Sequence, residues 1–171
     1  PESLTGLDDL DFVGLLGFND PPRPDAKDVV KACKQAGIAV RLITGDHPDT
    51  ARFVAQAVGL SHYKKVITGA EMDGMDDVRL SEEVKDCFVY ARIVPEQKVR
   101  IVEALRANGE IVAMIGDGVN DAPSLKESDV GVAMGARGTN VAREAADLIL
   151  LDDRLATVTQ AVNDGRKIFD N

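Results

Sequence analysis

The sequence has no long apolar run. Its longest, such as Ile111 to Ile115, are a handful of residues, against the roughly 20 that cross a bilayer, so no membrane span is expected within these residues. The opening Pro1-Glu2-Ser3-Leu4 has neither the basic start nor the apolar core of a signal peptide. Cysteine is scarce: only Cys33 and Cys87 are present, each among apolar neighbours, which reads as core thiols in a reducing, cytosolic setting. Basic charge is in deficit, with 20 Lys and Arg against 29 Asp and Glu and a net charge of −9. The acidic excess is spread along the chain, which argues against nucleic acid as a partner. No internal repeat, low-complexity tract or Pro/Ser-rich linker interrupts the 171 residues, so one domain is expected over 1–171.

What is present is alternation. Short apolar runs rich in β-branched residues fall at Phe12 to Phe18, Ala39 to Thr44, Lys65 to Thr68, Cys87 to Ala91, Ile111 to Gly116, Val130 to Met134 and Leu148 to Leu151. Amphipathic helical stretches lie between them, which predicts an α/β fold with a mainly parallel sheet. Helices are expected from Asp25 to Ala36, closed by Gly37, from Pro48 to Val58, closed by Gly59, and from Pro95 to Ala107 before Asn108-Gly109. Met72 to Glu83 is polar and acidic and reads as a surface excursion with a short helix. Leu155 to Asn171 is helical in pattern and has no stop signal, as expected of a truncation. His47 and His62, in polar surroundings, read as ordinary surface residues.

Four strings carry chemistry. In Ile111 to Pro123 a buried strand delivers Asp117, Asn120 and Asp121 into a glycine-bounded loop. Mg²⁺ prefers hard oxygen ligands, usually one or two carboxylates plus water and phosphate, which Asp117 and Asp121 can supply while Asn120 donates to a phosphate oxygen. Asp-Gly and Asn-Asp pairs also make plain turns. In Arg41 to Asp46 a second buried strand ends in Thr44-Gly45-Asp46, where a hydroxyl and backbone N–H groups can hold a phosphoryl group or cap the next helix. Lys98 stands one turn inside the helix opened by Pro95, where an ammonium can neutralise a transferring phosphoryl group or simply be solvated. Asn19-Asp20-Pro21-Pro22-Arg23-Pro24 is a stiff run, a hinge or a rigid connector.

Taken in order, these strings resemble the P-type ATPases of the haloacid-dehalogenase-like superfamily, from about residue 10 to the end. The match runs through Asp20-Pro21-Pro22-Arg23, Thr44-Gly45-Asp46, Ala91-Arg92 with Pro95 and Lys98, and Gly116 to Pro123. It continues through Gly131 to Gly135, Gly138-Thr139, Ala145-Ala146-Asp147 and Leu151-Asp152-Asp153. Gly165 to Asn171 looks like a stalk leading into a membrane helix, beginning at about 155–171, and the Asp-Pro-Pro-Arg form is similar to the type II branch, since heavy-metal pumps usually differ at both places.

The resemblance implies a Rossmann-like, three-layer phosphorylation domain, in its C-terminal part. It implies that Thr44 and Lys98 touch the phosphoryl group, that Asp117 binds Mg²⁺ with help from Asp121, and that Asn120 orients phosphate oxygens. Gly45, Asp46 and Arg92 would meet the nucleotide of ATP, and Arg23 would lie at the hinge toward the nucleotide-binding domain. The implied partners are ATP, that domain and the transmembrane domain of a parent pump, at the cytoplasmic face of a membrane. Ions are selected in membrane helices outside this sequence.

One departure is large. The family's nucleophile lies in an Asp-Lys-Thr-Gly-Thr string that does not occur here, so the central strand bearing the reacting aspartate is missing. Its neighbours should then present unpaired backbone groups, and imperfect pairing or self-association is expected. The isolated chain should be inactive. The alternatives are a soluble phosphatase of the same superfamily, with its nucleophile in an upstream Asp-x-Asp motif, and a non-catalytic module binding Mg²⁺ or phosphate.

Overall fold

The computed structural model describes residues 11, 13, 14, 16 and 21–169; the expected strand from Phe12 to Phe18, Asn19-Asp20 and the terminal Asp170-Asn171 lie wholly or largely outside them. In chain order the elements are α1 (Ala26–Gln35), β1 (Leu42–Ile43), α2 (Pro48–Ala57), β2 (Val66–Thr68), α3 (Gly69–Asp73), α4 (Asp77–Asp86), β3 (Val89–Ala91), α5 (Pro95–Ala107), β4 (Ala113–Gly116), α6 (Ala122–Glu127), β5 (Val130–Met134), α7 (Asn140–Ala145), β6 (Leu148–Leu150) and α8 (Leu155–Phe169). The punctuation acts as its chemistry predicts. Gly37 and Gly59 follow α1 and α2 with φ of 73° and 77°, the left-handed conformation that lets a helix end without a Cβ clash.

All strand pairs are parallel, and they form two three-stranded sheets, ordered β1-β3-β2 and β4-β5-β6. Each middle strand divides its side chains by the two-residue period of a strand. In β3, Val89 and Ala91 pack with Ala51 and Ala55 of α2, while Tyr90 packs on the other face with Leu80, Val84 and Ile101 of α4 and α5. In β5, Ala133 faces Leu125 and Ala142 of α6 and α7, while Val132 and Met134 face Leu155 and Val158 of α8. Both halves are therefore three layers, helix on sheet on helix, as expected. Cys33 and Cys87 are buried free thiols, and burial pushes both up, which keeps them protonated and inert.

Two expectations need correction. Residues 72 to 83 are not a surface excursion: they contribute to two helices, and Met72, Leu80 and Val84 are at most 1% exposed. Thr68 caps α3 by accepting from Glu71 N while Glu71 Oε2 accepts from Thr68 N, and Asp76 caps α4 by accepting from Arg79 N. The acidic residues hid a sparse apolar stripe at i, i+4, worth about 1.5–3 kcal/mol per buried side chain.

The strands read as buried at Arg41 to Thr44 and Ile111 to Gly116 are also not buried. Both residues of β1 are half-exposed, Ile115 is 36% exposed and Ile111 is 83% exposed. The cause is position in the sheet: among the described residues β1 pairs only with β3 and β4 only with β5, so each leaves one backbone edge open. Open apolar edges recruit other strands. The 171-residue chain is expected to show a sedimentation-average mass that rises with concentration, and a monomer at all concentrations would reject that expectation.

Candidate phosphoryl-transfer site

The loop after β4 is built around Asp121, which ends a short 3₁₀ turn (Val119–Asp121) and is 8% exposed. Its Oδ1 accepts from Lys98 Nζ at 2.5 Å, and its Oδ2 accepts from the N–H groups of Asp117 at 3.2 Å and Gly118 at 3.1 Å. The fully buried Ser124 donates its hydroxyl to the Asp121 carbonyl at 2.9 Å. Gly116 makes room for this arrangement, since a Cβ there would stand 2.5 Å from that of Asp121. Burial pushes the Asp121 carboxyl up, but the Lys98 ammonium and the two N–H donors outweigh it and hold the group below its ordinary 3.8.

A depressed folded-state value stabilises the fold above the unfolded pKa, and that stability is lost as pH falls through the folded one. Acid unfolding of the chain should therefore deepen below pH 3.8, and Asp121→Asn should remove that component in pH-dependent thermal melts.

Asp117 and Asn120 stand differently. Both are exposed, and among the described residues neither side chain has a hydrogen-bond partner, while the Asp117 carbonyl accepts from Thr139 N at 2.8 Å. A fixed backbone with a free carboxylate suits a Mg²⁺ ion that keeps waters and takes phosphate oxygens. Asp121, with both oxygens engaged, holds the loop that presents Asp117. Among the described residues no cluster of three or more His, Cys, Asp or Glu could cage a metal.

The loop after β1 is joined to the same frame through backbone. Ile93 N donates to the Thr44 carbonyl at 3.1 Å and Arg92 N to the Asp46 carbonyl at 3.0 Å, with Arg92 held at φ 54°. The Thr44 hydroxyl accepts from Asp46 N at 3.1 Å, a local turn, whereas α2 is capped by His47, whose Nδ1 accepts from Asp49 N at 3.3 Å. Thr44 is thus not the cap, and His47 has a role that reading it as plain surface missed. Gly45, Asp46 and Arg92 are exposed beside Thr44. From Thr44 the contacts run to Ile93, along the turn into Lys98, and on to Asp121 and the Asp117 loop.

Arg23 lies elsewhere. Its guanidinium donates to the Asp153 carbonyl at the junction of β6 and α8, and the Asp153 carboxylate accepts from Ala136 N at 3.1 Å and Arg137 N at 3.0 Å. Asp147 likewise accepts from Gly131 N at 2.8 Å. These acidic motif residues serve as backbone clamps. Gln97 and Ser124 are buried polar residues that motif reading passed over.

The haloacid dehalogenase-like hydrolase family model matches residues 3–129, and a second model of the same description matches residues 98–161. The chain is 50% identical over 165 residues to calcium-transporting ATPase 1 of Bacillus cereus, covering 96% of this chain and 19% of that protein. It is 50% identical over 167 residues to probable cation-transporting ATPase F of Mycobacterium tuberculosis, covering 95% of this chain and 18% of that protein. It therefore spans about one fifth of the length of these curated relatives. Among solved structures it superposes on a zinc-transporting PIB-type ATPase in the E2·Pi state, with TM-score 0.64 and 30% identity over 84% of this chain and 19% of the other. It also superposes on the catalytic domain of the CPx-ATPase CopB-B, with TM-score 0.62 and 31% identity over 82% of this chain and 45% of the other. The chain belongs to the haloacid dehalogenase-like hydrolase family, with its sequence and fold matching the C-terminal region of the phosphorylation domain of P-type cation-transporting ATPases.

Proposed function

We propose that this chain is the part of an ATP-driven cation pump that holds the phosphoryl group and Mg²⁺ while an aspartate outside these residues is phosphorylated and dephosphorylated. The observation that carries the reading is the charged frame at the open edge strands: Lys98 locked to Asp121 at 2.5 Å, with Asp117 presented free beside them. Among the described residues β1 and β4 each lack a neighbour on one side, and they carry the two candidate phosphate loops at their C-terminal ends. A strand inserted between them would complete one continuous sheet and deliver its terminal carboxylate to both loops.

In this reading the aspartate oxygen attacks the γ-phosphorus of ATP, the bond to the β,γ-bridging oxygen breaks, and ADP leaves with that electron pair. Water later cleaves the aspartyl phosphate. The protein's work is mostly positioning and charge neutralisation. Lys98 stabilises charge on the transferring group, and the Thr44 hydroxyl and Asn120 amide donate to its oxygens. Asp117 holds Mg²⁺, which supplies further neutralisation of phosphate charge when bound. Gly45, Asp46 and Arg92 meet the nucleotide, Arg23 serves the hinge toward the nucleotide-binding domain, and α8 begins the stalk. The parent would be a membrane protein with this part at its cytoplasmic face. Among the described residues themselves, no helix is long and apolar enough to cross a membrane.

The test is on the parent polypeptide: incubation with γ-labelled ATP and Mg²⁺, an acid quench, then hydroxylamine. An acid-stable, hydroxylamine-sensitive label supports the pump. No label, with rapid hydrolysis of small phosphomonoesters, favours the soluble phosphatase. ATP turnover by the 171-residue chain alone would overturn the proposed inactivity of the fragment.

A further inference from the structure

Gln97 is the residue before Lys98 and is 6% exposed, a buried amide in the first turn of α5. All of its hydrogen-bonding reach is spent on one junction. Its Oε1 accepts from Val94 N at 3.1 Å, and its Nε2 donates to the Gly69 carbonyl at 3.0 Å and to Asp73 Oδ1 at 2.6 Å. Glycine is required opposite it, because a Cβ on Gly69 would lie 2.4 Å from the Arg92 carbonyl oxygen and 2.5 Å from Gln97 Oε1. Simple capping of α5 needs only the bond to Val94. The two donated bonds go instead to α3, an element distant in sequence, and they press the turn from Arg92 to Val94 against it. That same turn donates backbone N–H groups to Thr44 and Asp46 and leads directly into Lys98.

We infer that Gln97 is a positioning residue, which anchors the start of α5 to α3 and thereby sets where Lys98 stands relative to the Thr44 and Asp117 loops. The inference rests on the phosphoryl-transfer reading above and names the residue that determines the placement of its central cation. Lys98 acts on charge that develops during transfer, so its misplacement slows phosphorylation without weakening ATP binding. A displacement of about 1 Å in such a site costs on the order of 100-fold.

Gln97→Glu keeps the acceptor toward Val94 but turns an oxygen on both the Asp73 carboxylate and the Gly69 carbonyl; adding Asp73→Asn restores the first contact with donor and acceptor exchanged, while the second stays lost. In the parent, Gln97→Glu should lower the single-turnover phosphorylation rate about 10- to 100-fold at unchanged KM for ATP, and the double variant, with the bond to residue 73 restored, should regain part of it. A normal rate in the single variant, a change in KM alone, or no recovery in the double variant would overturn the inference. In the 171-residue chain, the Lys98 Cε NMR shift reads the contact with Asp121 without any turnover. It should move in Gln97→Glu toward its value in Asp121→Asn and move part of the way back in the double variant, and an unmoved signal rejects the positioning role whether or not the parent is phosphorylated. Should Gln97→Glu fail to fold, Gln97→Met, which removes all three bonds without adding charge, takes its place with the same expected shift in the signal and loss of rate.

Discussion

Asp117→Asn in the parent should abolish Mg²⁺-dependent phosphoenzyme formation, a fall of at least about 100-fold. The fold should be untouched. The Asp117 side chain is exposed and, among the described residues, unpartnered, while the contacts that fix its backbone, the Thr139 donor and the bond to Asp121, do not involve the carboxylate. Asparagine keeps size and shape and loses one unit of negative charge and much of its value as a hard ligand. Thermal melts of the variant chain should match the unaltered one, and acid-quenched incubations of the parent with γ-labelled ATP should show no bound label. Normal phosphoenzyme levels would refute the Mg²⁺ role.

Lys98→Ala should have two large effects that a second substitution separates. Lys98 and Asp121 form a pair with side-chain exposures of 16% and 12%, so removing the cation strands a carboxylate largely out of water. Breaking such a pair from one side costs about 3–5 kcal/mol. Removing a charge-stabilising group from the transferring phosphoryl should also slow transfer by about 100- to 1,000-fold. Asp121→Asn added to Lys98→Ala leaves a neutral amide still able to accept from the Asp117 and Gly118 N–H groups, so most of the lost stability should return. The phosphorylation defect should remain. If the double variant also regains phosphorylation, Lys98 is only a structural counter-ion to Asp121. The melts belong to the chain described here and the rates to the parent, so the readouts do not confound one another.

The family was legible from ordered short strings. Each string alone had an ordinary explanation, a turn at Asp117-Gly118, a cap at Thr44, a solvated lysine at 98, and only their joint order pointed to the family. The structure changes one of them: the Thr44 hydroxyl folds onto Asp46 N, and His47 takes the cap. A histidine at a helix start carried little signal, because aspartate, asparagine, serine and threonine are the stronger caps. Gln97 was equally illegible. A glutamine in a first turn is ordinarily solvated, and its partners Gly69 and Asp73 lie 28 and 24 positions away.

By itself the sequence determined where helices and strands alternate, which residues punctuate them, and which carboxylates, hydroxyl and amine are the candidates for the proposed chemistry. These follow from periodicity, from glycine and proline, and from the donor and acceptor types of side chains, all local properties. It also showed that the Asp-Lys-Thr-Gly-Thr string is absent. Burial was decided by tertiary structure. Among the described residues two apolar strands, β1 and β4, have open edges because sheet order, not hydropathy, determines which strands have two neighbours, while an acidic stretch buries Met72, Leu80 and Val84 because a few apolar residues at helical spacing suffice to cover Tyr90. Tertiary structure alone also divided the acidic residues by task. Asp121, Asp147 and Asp153 bind backbone N–H groups and Asp117 is left free, a distinction set by which N–H groups the fold brings within about 3 Å of each carboxylate.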